Sequence, residues 1–137
     1  MTISLQNLTE NFSLFDDWED RYRYLIDLGK SLDPMPESLK TDQTLVPGCT
    51  SRVWIICKTN SNGALYFVAD SDAHIVRGLI AILLIAYQHK TPEEIRSIDI
   101  EGCFKTIGLD QHLSPNRRNG FFAMVERVRA LSVIDCS

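Results

Sequence analysis

The hydrophobic pattern along the chain changes period several times. In "DDWEDRYRYLIDLGKSL", Trp18, Tyr22, Leu25, Ile26 and Leu32 fall near a helical stripe with charges between them, which predicts a helix. Asp16 followed by Glu19 resembles a capping box, and Gly29 with Asp33-Pro34 marks the end of this region. Residues 33–48 hold Pro34, Pro36, Pro47 and Gly48 and read as a connection with one short turn near 36–40. "SRVWIICKT" alternates and is rich in β-branched and aromatic residues, as a strand should be. Asn62-Gly63 then suggests a tight type I′ turn, with "ALYFVAD" as the return strand. A lone hairpin is marginal in water, so a third strand is expected near 43–46. Asp72 is expected to cap an apolar helix over 73–88. Thr91-Pro92 with Glu94, and then Ser114-Pro115, open two more helices. In the last of these, Phe121, Val125, Val128 and Leu131 form the core stripe. This order predicts an α+β fold: a small antiparallel sheet of about three strands with helices packed on one face.

The chain has 137 residues, which suits one domain spanning 1–137 and a core that needs no staple. Net charge is −4 and the pI is about 5.3, which argues against a nucleic-acid partner despite the locally basic "RYRYL" and "NRRNG". The longest apolar run, "IVRGLIAILLIAY", contains Arg77 and falls short of the ~20 residues that cross a bilayer, so no membrane role is expected. The first fifteen residues lack Lys, Arg and a long apolar stretch, so they read as neither a signal nor a transit peptide. A cytoplasmic location is the resulting expectation, with Cys49, Cys57, Cys103 and Cys136 as free thiols.

Those cysteines are separated by 7, 45 and 32 residues, without a C-x-x-C pair, and His74, His89 and His112 are equally scattered. Zinc and iron–sulfur ligands usually cluster more closely, so no metal is assigned. No glycine-rich phosphate loop occurs, and no cofactor is assigned. A Cys–His hydrolase would need a histidine beside its thiol, and no local signature supports one. Cys57 reads as a small core residue of a strand, and Cys103 and Cys136 as structural.

Cys49 stands apart because it follows the Pro47-Gly48 bend in "LVPGCTSRVWI". Two readings of it are open from spacing alone: a presented thiol for exchange or transfer, or a loop cysteine packed under the turn. Arg52, three residues on, could lower its pKa from the free value of about 8.5, or could be a solvated strand-edge charge.

"GCTSRVWI" resembles the "GC-x-S-x-VW" signature of the SufE family, the sulfur acceptors of iron–sulfur cluster assembly. "WEDRYRYLIDLGKSL" (18–32), "DSDAHIVRGLIAILL" (70–84), "TPEEI" (91–95) and "LDQHLSPNRRNG" (109–120) resemble further motifs of that family, in order. The close paralogue group CsdE is similar too. The resemblance implies the SufE/IscU-like fold. It implies a protein that takes a persulfide sulfur from a pyridoxal-phosphate cysteine desulfurase (SufS/CsdA-like) onto Cys49. It further implies stimulation of that desulfurase and delivery of the sulfur to a downstream cluster scaffold (SufB-type). Such a carrier is regenerated only with its partners. Arg117 matches the family arginine after the S-P pair and, with Ser51 and Arg52, is a supporting site candidate. Asp70, Ser71 and Asp72 are assigned to the helix cap and the loop wall. The alternative is an IscU-like iron–sulfur or zinc scaffold, which would need further ligand cysteines at loops where this sequence has none.

Overall fold

The structure is a computed structural model that describes residues 4–48 and 51–133. In chain order it has α1 (Leu5–Ser13), α2 (Trp18–Lys30), β1 (Val53–Thr59), β2 (Leu65–Ser71), α3 (His74–Tyr87), α4 (Pro92–Ser97), α5 (Ile100–Thr106), α6 (Leu109–His112) and α7 (Pro115–Val133). A short 3-10 turn at Glu37–Leu39 interrupts the long connection. The α+β expectation is met: helices pack on an antiparallel pair of strands.

The two strands pair from Val53 opposite Ser71 to Thr59 opposite Leu65. This register puts Val53 and Ile55 on the same face as Leu65, Phe67 and Ala69, all buried. Period-2 alternation thus becomes one apolar face, covered by α3 and α7. The third strand is reduced to single bridges. Leu45 pairs with Trp54 on one edge, and Leu65 pairs with Lys90 on the other. The Gln88 side chain helps at that second edge by accepting from Phe67 N (2.6 Å) and donating to Phe67 O (2.9 Å). The strand arm stays short because Thr41 and Thr44 fold it into their own turn on one side, and Pro47-Gly48 bends it on the other.

The hairpin turn also differs from the expected two-residue form. Asn60 O accepts from Gly63 N, and Asn60 N donates to Ala64 O. Gly63 alone of these residues has positive φ (+86°). A type I turn followed by a left-handed glycine gives a three-residue loop, since type I′ would need Asn62 left-handed as well.

The α2–α3 crossing is the closest helix contact. Gly29 does not end α2; it lies inside it, and a methyl there would stand 2.7 Å from Gly78 N of α3. A methyl on Gly78 would overlap the Leu25 carbonyl. Side-chain volume is therefore excluded from both positions, and Leu25 and Leu28 seal the contact from either side. α1 gave no strong sequence signal. Ser4 caps it by accepting from Asn7 N, and Leu8 and Phe12, one turn apart, enter the core.

Three local expectations are corrected. Asp17, not Asp16, caps α2, by accepting from Asp20 N at 2.8 Å. Asp72 does not cap α3, whose N-cap is Ala73 without a side-chain bond. Cys57 is disulfide-bonded, whereas Cys103 is a free thiol. Four free thiols followed from the expected compartment, but pairing depends on which Cα atoms the fold brings within roughly 4.4–6.8 Å. None of the helices among the described residues is long and apolar enough to cross a membrane.

Candidate functional site

Cys49 lies outside the described residues, and the site is built from what flanks it. On the entry side, Val46 N donates to Val53 O (2.7 Å) and Ile55 N to Thr44 O (3.0 Å). These bonds close the base of a loop that runs from Pro47 to Arg52. Val46 is buried and anchors that base in the core. Gly48 has φ +86°, and a Cβ there would sit 3.5 Å from Ala123 Cβ of α7. The glycine is required by its left-handed backbone, and α7 forms the ground beneath it.

On the exit side the D-S-D motif grips the backbone of Arg52. Asp72 Oδ1 accepts from Arg52 N (3.2 Å), and Ser71 Oγ donates to Arg52 O (2.7 Å). Asp72 N adds a long bond to the same carbonyl (3.4 Å). Ser71 Oγ also accepts from Ala73 N, which joins the clamp to the start of α3. The assignment of this motif to the loop wall is thus met for Ser71 and Asp72.

Asp70 is nearly buried and lies between two cations. Lys40 Nζ is 3.3 Å from its Oδ2, and Arg77 Nε is 3.0 Å from its Oδ1. The Arg77 contact is an ion pair that is not aligned as a hydrogen bond. Lys40 also meets Glu37 at 3.0 Å and sits over the Trp54 ring at 5.4 Å. Its hydrogen bond to Glu37 first, and the bond and charge of Asp70 next, raise its pKa against the opposing effect of burial. The cluster joins the arm leading into the loop to β2 and α3.

Beside the loop is a cavity of about 300 Å³. Val53, Val76, Leu79, Phe121 and Met124 line its apolar part. Ser51, Ser114, Asn116 and Arg117 supply its polar part. Ser114 Oγ accepts from Arg117 N at the start of α7, which fixes this rim. Two of the sequence candidates, Ser51 and Arg117, therefore meet at one cavity. Arg52 is exposed and is not part of its lining.

Neither of the two described cysteines lines the cavity. Cys57 is on β1, opposite Phe67. Cys103 is on α5 and contacts Thr9 Oγ1 at 3.9 Å; burial pushes its pKa up, which disfavours the reactive thiolate. His112 stacks on Trp18 with ring centroids 3.8 Å apart. No group of three or more His, Cys, Asp or Glu among the described residues is arranged to hold a metal ion.

Residues 6–132 match the SufE family, described as an Fe-S metabolism associated domain. The chain belongs to the SufE family. An uncharacterised SufE-like protein of Rhizobium etli is 46% identical over 129 residues, covering 92% of this chain and 87% of that one. Another from Rhizobium meliloti is 44% identical over 130 residues, covering 93% of each. The solution structure of a hypothetical protein from Thermus thermophilus shares the fold, with a TM-score of 0.75 at 19% identity over 93% of this chain and 92% of that one. Membership places the chain in iron–sulfur metabolism.

Sequence reasoning passed over Lys40 and underestimated Asp72. Lys40 carried no visible signal, since a lysine in a Pro-rich connection looks solvated. Asp72 did carry one: a short acidic motif follows the return strand directly and so must lie beside the start of its partner strand. In this SufE-family chain that start is the exit of the Cys49 loop.

Proposed function

We propose that this chain is a sulfur carrier for iron–sulfur cluster assembly, acting as one SufE-type unit over residues 1–137, with Cys49 as the carrying thiol. The observation that supports it most is the loop between Val46 and Arg52. Its two ends are pinned, a left-handed glycine bends it, and it borders a largely apolar cavity. A pinned base with a bent tip offers one thiol to a partner while the rest of the fold stays still. An apolar neighbour excludes the water-borne thiols that would strip a persulfide.

The donor in this reading is the persulfide of a pyridoxal-phosphate cysteine desulfurase of the SufS/CsdA type. The Cys49 thiolate attacks the outer sulfur of that persulfide. The donor's S–S bond breaks, an S–S bond forms on Cys49, and the donor cysteine leaves as thiolate, so no oxidant is required. In this reading Arg52 at the exit of the loop and Arg117 on the cavity rim are cations that favour the thiolate form and an acidic partner surface. Ser51 lines the cavity next to the loop tip. A SufB-type scaffold then takes the sulfur by the same exchange.

The test is substitution of the thiol alone. Cys49→Ser is expected to bind the desulfurase and to abolish its stimulation in the presence of cysteine. Cys103→Ser should keep stimulation, because that thiol is half-buried on α5 and does not line the cavity. Undiminished stimulation by Cys49→Ser would mean that the chain activates by docking rather than by carrying sulfur.

A further inference from the structure

A second cavity, of about 180 Å³, lies toward the turn end of the hairpin. It shares no lining residue with the one beside the Pro47–Arg52 loop. Its residue from β2 is Tyr66, while Ser71, which holds the loop exit, is at the other end of that strand. At about 3.3 Å per residue the two are roughly 17 Å apart. The volume is below the roughly 300–1,000 Å³ of sites that enclose a whole small molecule, so it suits one side chain of a larger partner.

Leu32, Ala81, Leu84 and Ile85 give this cavity an apolar floor. Asp33 is the one carboxylate among its described lining residues, and no lysine or arginine is there. Among the described residues Asp33 has no ion-pair partner. Lys30, the last residue of α2, is paired with Asp27 at 3.7 Å and does not line the cavity. Two helices end here. α2 stops just before Ser31, Leu32 and Asp33, and α3 stops just before Gln88 and His89. Helix C-termini carry partial negative charge, so both ends reinforce the Asp33 carboxylate. His89 N donates to Leu65 O (2.9 Å), which leaves the Ile85 carbonyl without its helical donor. His89 has φ +60°, the only positive value at a described non-glycine residue. The position after a helix C-cap is usually glycine, which brings no side chain. Here an imidazole stands there, its ring centroid 5.6 Å from that of Tyr66 and tilted by 33°. A carboxylate, two negative helix ends and an aromatic pair around an apolar floor are complementary to a cation on an aliphatic stem.

We infer that this cavity is a docking point for an arginine side chain of a partner polypeptide. Arginine fits better than lysine, because a planar guanidinium stacks on aromatic rings and meets a carboxylate with two N–H groups. The chain's remaining residues, 1–3, 49–50 and 134–137, contain no lysine or arginine, so the occupant comes from another molecule. An arginine held here anchors its partner without filling the loop or the cavity beside it. The inference is independent of the carrier reading, since none of its residues belongs to that site.

The experiment uses the full chain, isotopically labelled for amide NMR, and three blocked amino acids. These are the N-acetyl, N-methylamide derivatives of arginine, of citrulline, which keeps the shape and loses the charge, and of lysine. The amide shifts of Leu32, Asp33, Tyr66 and His89 are followed against concentration. The arginine derivative should shift them saturably. It should bind about threefold to fivefold more tightly than the citrulline derivative, the range that one partly exposed charge pair supports. The lysine derivative should fall between the two. Asp33→Asn should bring arginine down to the citrulline affinity and, as Asp33 is exposed, should leave the core amides unchanged. Tyr66→Leu should weaken arginine binding by about twofold to fivefold, the loss of one exposed cation–π contact. Absence of saturable shifts at these amides, equal binding of arginine and citrulline, or a preference that survives Asp33→Asn would overturn the inference. Lysine binding as tightly as arginine would overturn the choice of guanidinium. A dimer in sedimentation that Asp33→Asn dissolves would put a second copy in the cavity and overturn the assignment to a partner.

Discussion

Asp72 stands one residue before the α3 N-cap and looks like a helix-capping aspartate, yet its carboxylate accepts from Arg52 N across the hairpin. A cap would help only α3. The observed contact instead fixes the exit of the Cys49 loop, together with the Ser71 hydroxyl on the Arg52 carbonyl. A hydrogen bond with one charged partner contributes about 1–2 kcal/mol at a site of this exposure. Asp72→Ala should therefore speed amide exchange at Arg52 by roughly tenfold, about 1.4 kcal/mol, while the amides of Leu79 to Leu83 in α3 keep their protection. Unchanged exchange at Arg52 would mean that the loop exit is held by other contacts. The residue type and its place were legible in the sequence. Its partner was not, because a carboxylate between a strand and a helix has two acceptor sites and only the folded register decides which donor arrives.

At the scale of elements, legibility followed the strength of local chemistry. The α4 start was readable in full: Thr91 accepts from Glu94 N, Glu94 accepts from Thr91 N, and Pro92 opens the first turn. The backbone bond from Thr91 holds the Glu94 carboxyl below its usual pKa. A lowered carboxylate pKa stabilises the fold above the unfolded value, near pH 4.3, and that contribution disappears as pH falls through the folded value. The deficit of Glu94→Gln against the parent in urea unfolding should thus be constant from neutral pH to about pH 5 and should close at lower pH. A deficit independent of pH would mean that the charged form makes no special bond. Elements defined by distant partners were harder to read. The hairpin's location was clear, but Asn62-Gly63 alone could not separate a two-residue loop from the observed three-residue one. α1 is polar on most of its surface and needs only Leu8 and Phe12 to dock, too few positions to impose a visible period. The expected third strand became a single bridge because its arm is bent at both ends.

Across the whole molecule, the motifs that marked the family are far apart in sequence and close together in the fold. The opening helix crosses α3 at Gly29 and Gly78, the D-S-D motif clamps Arg52, and the S-P-N-R start of α7 forms the rim of the cavity beside Ser51. The motifs could be recognised as strings, but the cavity could not, since its walls come from residues 51–53, 76–79 and 114–124. Its position beside the loop gives the carrier reading its physical basis, and that reading has a direct chemical consequence. The protein is first reduced, freed of reductant, and incubated with a cysteine desulfurase, pyridoxal phosphate and cysteine. Intact mass and peptide mapping then locate any sulfur gained. The account predicts added sulfur on the Cys49 peptide that dithiothreitol removes. An unmodified Cys49 peptide beside a desulfurase that is itself loaded with persulfide would contradict it.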